Sequence, residues 1–356
     1  MSLRQLLSII VTLVGLAIPA QAQKIIYVRA NGNDAASGLS ESSANATIEG
    51  AVKHAEAGDI VEIGPGAFEG ATIPFSLTLK GANSGADITR WTEPTMMKST
   101  LKLAGSDNPI ELTCDGITFG QIVPVAGKSS NAIVSLANCM FNVSKTISTE
   151  GLDWSELVVV GCLFKGKIKD VSTVADRALN VQGVSVAYLA ESYYNGYAQE
   201  AIHIDGVTRL LKLQYNEFTD CNSSGAANRA AIMFSLAGQD AEVEIQKNLI
   251  TNCKHGIQTS GNVAGKLISV QYNKFVRIPT QYTAITHIGT GPLNATCNAI
   301  ELPKTDAKPD KGALRDAFVR LFNGQIDAFP LNDNAEDVDG SAVGFEPDKA
   351  HCTFTK

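Results

Sequence analysis

Beyond its first residues the sequence has no long hydrophobic run. The only such stretch, Leu6 to Ile18, is shorter than the ~20 residues that a membrane-spanning helix needs. A transmembrane body is therefore not expected. Positive charge is also in deficit, with 29 Lys and Arg against 36 Asp and Glu. Phosphate-backbone binding depends on clustered cations, so no nucleic-acid partner is expected. A local basic patch can still form on an acidic protein, and that leaves acidic polysaccharide open. Charged residues make up only 18% of the chain while Gly numbers 31. That combination suits many turns and buried strands rather than solvated helices.

The early apolar stretch reads as a secretory signal. Arg4 supplies the positive start and Ala20-Gln21-Ala22 the small-x-small cleavage site. Residues 1–22 are thus expected to be a signal peptide. The mature protein is expected to be secreted, periplasmic or attached to the cell surface. The length would ordinarily suggest two domains, but solenoids and barrels run longer as one body.

What the sequence does contain is a repeat. The segments "LKLQYNEF", "VEIQKNLI" and "ISVQYNKF" share one template. Apolar residues alternate with polar ones, then come a turn residue, a spacer and a large apolar residue. Anchored on the turn residue, copies fall at Ala82, Ile117, Cys139, Cys162, Val184, Asn216, Asn248, Asn273 and Asn298. Three before the anchor lie Leu79, Cys114, Leu136, Val159, Val181, Leu213, Ile245, Val270 and Ala295. Two after it lie Phe119, Phe141, Phe164, Val186, Phe218, Ile250, Phe275 and Ile300. Period-two alternation turns these side chains inward. The leucine-rich signature and helix-length amphipathic segments are missing from the copies. The reading is therefore all-β: a single-stranded right-handed parallel β-helix, a solenoid of about nine stacked coils. An inward Asn is costly unless hydrogen-bonded, so Asn216, Asn248, Asn273 and Asn298 are expected to form one ladder.

Solenoid ends need covering. Ile48, Ala51, Val52 and Ala55 follow helical spacing, with Asn45 or Thr47 as N-cap and Gly58 as stop. They predict an N-terminal capping helix. "KGALRDAFVRLF", through Leu314, Phe318, Leu321 and Phe322, predicts a short C-terminal helix, and an acidic tail begins at Gly324. The expected division is a β-helix with its cap over 23–303 and a helix plus tail over 304–356.

On "YVRANGNDAASGLS", "TIEGAVKHAEAGDIVEIGPGAFEG", "LTLKGANSG" and the N-x-F coils that follow, the chain resembles the pectin lyase-like right-handed β-helices. The resemblance spans Lys24 to Leu302 and implies an exported bacterial type. Similar openings precede lyases, esterases and proteins with no known activity. The coils lack a paired-Asp hydrolase signature, a Gln/Asp/Asp/Arg esterase set and a lyase Lys-Ser motif.

Seven Cys in an exported chain suggest disulfides. Cys221 and Cys253 hold equal register in successive coils, and a bond between them is the favoured expectation. Stacked free thiols are the alternative. Cys139 and Cys162 stand evenly between the same two readings, and Cys114 reads as inward and free.

Two rows could carry chemistry. Gln182, Gln214, Gln246 and Gln271 share an outward register, with Tyr215 and Tyr272 one position later. Such amides and rings could bind sugar, or the amides could simply form a stabilising ladder. The second row aligns on Ile202, Ile232, Ile257 and Ile285. It gathers Glu200, His203 and Asp205, then Arg229, then Lys254 and His255, then Tyr282 and His287. Abstracting the C5 proton of a uronic acid needs a cation at the carboxylate, a base and a proton donor. Arg229 and Lys254 could fill the first two roles, with His255 or Tyr282 as donor and His203 binding substrate. Glu200 and Asp205 could hold Ca²⁺, which prefers oxygen ligands. The expected function is binding or processing of polysaccharide, as a lyase on acidic glycans. The competing expectation is a non-catalytic structural, adhesive or glycan-binding surface solenoid.

Overall fold

The computed structural model describes residues 23–104, 108–120, 122–124, 131–142, 147–148, 154–166, 174–225, 229–237, 240–260, 268–279, 282–288, 293–295, 298–301 and 319–322. The expected signal peptide and the acidic tail lie outside these residues, as do Cys297 and Cys352.

The strands form three parallel sheets, one of 11 strands and two of 10. The chain visits them in rotation, so that from Ile60 onward every third strand returns to the same sheet. This is the strand order of a parallel β-solenoid. We call the sheets first, second and third in the order that each coil meets them. Along the first sheet Leu79 pairs with Cys114, Cys114 with Leu136, Leu136 with Val159, and Val159 with Leu189. Leu189 continues to Leu213, Ile245 and Val270. All these side chains are buried, as the alternation predicts.

One copy of the repeat is displaced from its expected place. Leu179–Gln182 belongs to the third sheet, where Leu179 pairs with Ile202. The first-sheet strand of that coil is Val184–Ala190, which puts Ser192 rather than Val184 in the anchor register. "LNVQGVSV" fits the template because any strand with two inward apolar residues before a turn fits it. Gln182 accordingly leaves the amide row and pairs with Asp205.

The anchors make a continuous polar column inside the wall. Asn216 Nδ2 donates to Asn248 Oδ1 at 3.0 Å, Asn248 Nδ2 to Asn273 Oδ1 at 2.9 Å, and Asn273 Nδ2 to Asn298 Oδ1 at 3.0 Å. Each Oδ1 also accepts the backbone N–H of the preceding anchor, at 3.0 to 3.1 Å. Upstream the column continues with a different chemistry. Ser192 N–H donates to Asn216 Oδ1, Cys162 N–H to Ser192 Oγ, and Cys139 N–H to Cys162 Sγ. Just before the anchor position a positive φ recurs: 71° at Gly116, 48° at Asn138, 64° at Gly161, 50° at Glu191, 57° at Tyr215, 56° at Lys247 and 58° at Tyr272. That one left-handed residue swings the chain from the first sheet into the second. Two positions after the anchor, Phe119, Phe141, Phe164, Tyr194 and Phe218 stack face to face, their centroids 4.6–5.3 Å apart. Tyr194 takes the place expected of Val186, which follows from the same register correction.

At the N-terminal end a helix covers Ile48–His54 and buries Ile48, Ala51 and Val52 in the core. Thr47 is its N-cap: Thr47 Oγ1 accepts from Gly50 N–H at 2.9 Å. Asp34 secures the cap by accepting from the N–H groups of Ala46 and Thr47 and from the Thr47 hydroxyl. At the other end the expected helix is overturned where it is described. Val319–Phe322 is a strand that pairs in parallel with Ile285–Ile288 on the third sheet. An exposed sheet edge offers backbone hydrogen bonds that outweigh a helical pattern in a short segment.

The Cys221–Cys253 disulfide is likewise overturned. Both are buried free thiols, as are Cys114, Cys139 and Cys162. Cys221 Sγ donates to Thr219 O and Cys253 Sγ to Thr251 O, each at 3.4 Å. Each thiol thus turns back onto its own strand end and acts as a small apolar ladder residue. Burial pushes the thiols of Cys114, Cys139 and Cys253 above their ordinary range, which suppresses the reactive thiolate. These cysteines should therefore resist maleimide labelling in the native protein and react only on unfolding, as peptide mapping can show. Native-state labelling of Cys221 or Cys253 contradicts this packing.

Candidate functional site

The third sheet keeps the predicted register: Ile202 pairs with Ile232, Ile232 with Ile257, and Ile257 with Ile285. The residues just ahead of these isoleucines therefore stack in the turns that lead into the sheet. Leu179 extends the row by one coil and brings in Arg177, which the sequence reading missed.

Glu200 has a fully buried side chain between two guanidinium groups. Arg177 Nε donates to Oε2 at 2.6 Å, and Arg229 Nη1 to Oε1 at 2.8 Å and to Oε2 at 3.2 Å. Arg177 also reaches Asn180 Oδ1 at 3.1 Å. Burial acts to raise the Glu200 pKa, but the hydrogen bonds from Arg177 and Arg229 outweigh it and hold the carboxyl below its ordinary value. Outward on the next strand His203 Nε2 lies 3.0 Å from Asp205 Oδ2, and Ser235 donates to Asp205 Oδ1 at 3.0 Å. The bond from His203 is the main cause of a lowered Asp205 pKa.

These contacts replace the expected Ca²⁺ site. Both Glu200 oxygens are taken by arginines and both Asp205 oxygens by His203 and Ser235. Ca²⁺ asks for six to eight oxygens. Among the described residues no group of three or more His, Cys, Asp or Glu could hold a metal ion.

Lys254, His255 and Tyr282 do come together. The Lys254 ammonium lies 5.8 Å from the centroid of the Tyr282 ring. His255 meets that ring edge-on at 5.0 Å. Thr283 N–H donates to His255 Nδ1 at 3.3 Å, which leaves the neutral ring's proton on Nε2. Gly225, at φ +66°, explains the closeness: a Cβ there would stand 2.4 Å from Lys254 Cδ and 3.0 Å from the Tyr282 hydroxyl. Asn222, in the same turn, donates from Nδ2 to the Arg229 carbonyl at 3.0 Å and so ties this pair to the arginine clamp. Gly225 carried no signal in the sequence beyond an ordinary turn, and Asn222, in an Asn-Ser-Ser sequon, none that tied it to this cluster.

His287 and the separate glutamine row lie apart from this cluster. His287 shares the inward register of Ile285 and is buried, its Nδ1 2.7 Å from Thr259 Oγ1. Gln214, Gln246 and Gln271 are side by side as predicted, but on the first sheet. They and Tyr272 are thus separated from the Arg229–Lys254–Tyr282 group. Lys247 closes part of the gap between the two tyrosines there, with its Nζ 2.9 Å from the Tyr215 hydroxyl and 5.2 Å from its ring centroid.

The turn cluster thus sets three cations, Arg177, Arg229 and Lys254, against the buried carboxylate of Glu200. Among the described residues no carboxylate pairs with Lys254. Lys254 lies beside the partly exposed ring of Tyr282. No helix among the described residues is long and apolar enough to cross a membrane. No protein-family model and no curated protein matches the sequence, so the functional reading rests on these side chains.

Proposed function

We propose that the chain is an exported right-handed parallel β-helix of the pectin lyase-like type that binds acidic polysaccharide at the turns leading into its third sheet. The observation that carries this reading is Lys254, an ammonium over the Tyr282 ring with no carboxylate partner among the described residues. A uronate carboxylate would meet Lys254, while the sugar face stacks on Tyr282. Binding at a secreted, periplasmic or cell-surface location accounts for the cluster without catalysis.

The lyase reading makes a further demand. Arg229, the expected neutralising cation, already spends Nη1 on Glu200, and would have to turn from Glu200 to meet the substrate carboxylate. Lys254 would then have to act as the neutral amine to take the C5 proton, becoming the ammonium, and Tyr282 or His255 would supply a proton to the leaving oxygen.

Affinity electrophoresis in gels containing polygalacturonate, alginate or chondroitin tests the reading. The protein should be retarded by at least one of them and released by salt, which screens such contacts. Lys254→Ala should weaken binding roughly tenfold, the effect of losing one charged hydrogen bond. Retardation by none of the three removes the proposal. Absorbance at 235 nm, followed on the same substrates, decides catalysis: a rise that Lys254→Ala abolishes establishes the lyase, and a flat trace leaves a binding protein.

A further inference from the structure

A second site lies on the outer face of the second sheet. Strands Leu163–Lys165, Tyr193–Asn195 and Glu217–Thr219 lie side by side there, with Leu163, Tyr193 and Glu217 in one outward row and Lys165, Asn195 and Thr219 in another. The segment that follows the early strand Leu77–Lys80 reaches these strands at Ile88 and Thr89. Its turn at Ile88–Arg90 is fixed by Asp87, whose Oδ1 accepts from both the N–H and the hydroxyl of Thr89. Between Ile88 and Thr89 and the sheet lies a cavity of about 240 Å³.

Its walls are largely apolar, from Ile88, Leu163 and the tyrosines, with a few polar groups set among them. No side-chain hydrogen bond or ion pair holds Asn195, Glu217 or Thr219 among the described residues, although all three line this one space. Tyr193 is 45% exposed beside them and offers a ring face. An aromatic platform with an amide, a hydroxyl and a carboxylate around it matches the alternating apolar face and hydroxyl rim of a pyranose. The volume is below the roughly 300–1,000 Å³ of pockets that enclose drug-sized ligands, which suits one ring rather than a chain. Among the lining residues only Glu217 is charged, and its carboxylate repels a uronate at contact, while Lys165 stands outside the lining beyond Asn195.

We propose that this cavity binds a single neutral hexopyranose unit, with Tyr193 as stacking platform and Asn195, Glu217 and Thr219 as hydroxyl partners. The site is independent of the acidic-glycan reading, because it lies on another sheet and selects the opposite charge class.

Saturation-transfer NMR with methyl glucoside, methyl galactoside and methyl mannoside, and galacturonate for comparison, tests it on the full chain. Transfer to at least one neutral glycoside is expected, with little to galacturonate. Tyr193→Ala, an outer-face change that leaves the core intact, should weaken binding roughly five- to tenfold. Glu217→Gln, which keeps the shape, should raise the galacturonate signal. Absence of transfer to every neutral glycoside, equal transfer to galacturonate, or undiminished transfer in Tyr193→Ala overturns the proposal.

Discussion

Asn248→Ala is expected to destabilise the protein by about 3–5 kcal/mol, since each buried group left unpaired costs about 1–3 kcal/mol. Asn248 Oδ1 accepts both the N–H and the amide of Asn216. Its Nδ2 donates to Leu213 O, Gln246 O and Asn273 Oδ1. Alanine strands these partners inside the wall, where water cannot reach them. The damage should be greater than a cavity of that size would cause, because every coil is held only by its neighbours. Asn248→Ser should cost clearly less. Ser192 already fills the same column, accepting from Cys162 N–H and donating to Ala190 O, so a hydroxyl can satisfy part of the turn. Guanidinium denaturation of the three proteins measures this. Equal midpoints for the alanine and serine variants would show that the ladder is not what holds the coils.

That column was legible in the sequence because Asn, at a buried position in a period-two strand, has few other physical uses. The apolar registers were legible for the same reason. The limit of such reading lies in coils where another residue does the same work. Ser192 and Tyr194 perform the roles of Asn and Phe with different letters, so the template settled on Val184, a neighbouring strand of equal apolar spacing. That error also hid Arg177. With Leu179 placed in the first-sheet row, nothing brought Arg177 next to Glu200, and Glu200 looked like a free carboxylate suited to Ca²⁺. The Cys pairs show a second limit: equal register places two sulfurs in adjacent coils but does not tell which way each thiol turns. At the C-terminal end, Val319–Phe322 fits a helical stripe and a strand equally well. The open sheet edge, a partner not visible in local sequence, decides between them.

Removing both arginines around Glu200 should invert the acid response of the protein. In the native chain the Glu200 carboxyl is held below its ordinary value of 4.5. Its contribution is therefore fully present above pH 4.5 and is lost as pH falls through the lowered pKa. In Arg177→Ala/Arg229→Ala the same carboxyl, 0% exposed in the native chain, loses both cations. Its pKa must then rise above the unfolded value, and the group costs most where the unfolded chain is ionised. Leaving a buried charge without its partner costs about 3–5 kcal/mol. The double variant should show that deficit at pH 7, and the deficit should shrink as pH falls towards 4, because the neutral acid is tolerated in an apolar wall. Each single variant retains one guanidinium and should lose less than half as much. Adding Glu200→Gln to the double variant should recover most of the loss at pH 7, since the amide carries no charge to desolvate. Denaturation midpoints for these proteins across pH 4–8 read the result. A deficit that is the same at every pH would mean that the arginines act by packing their stems, and that Glu200 is not the charge they neutralise.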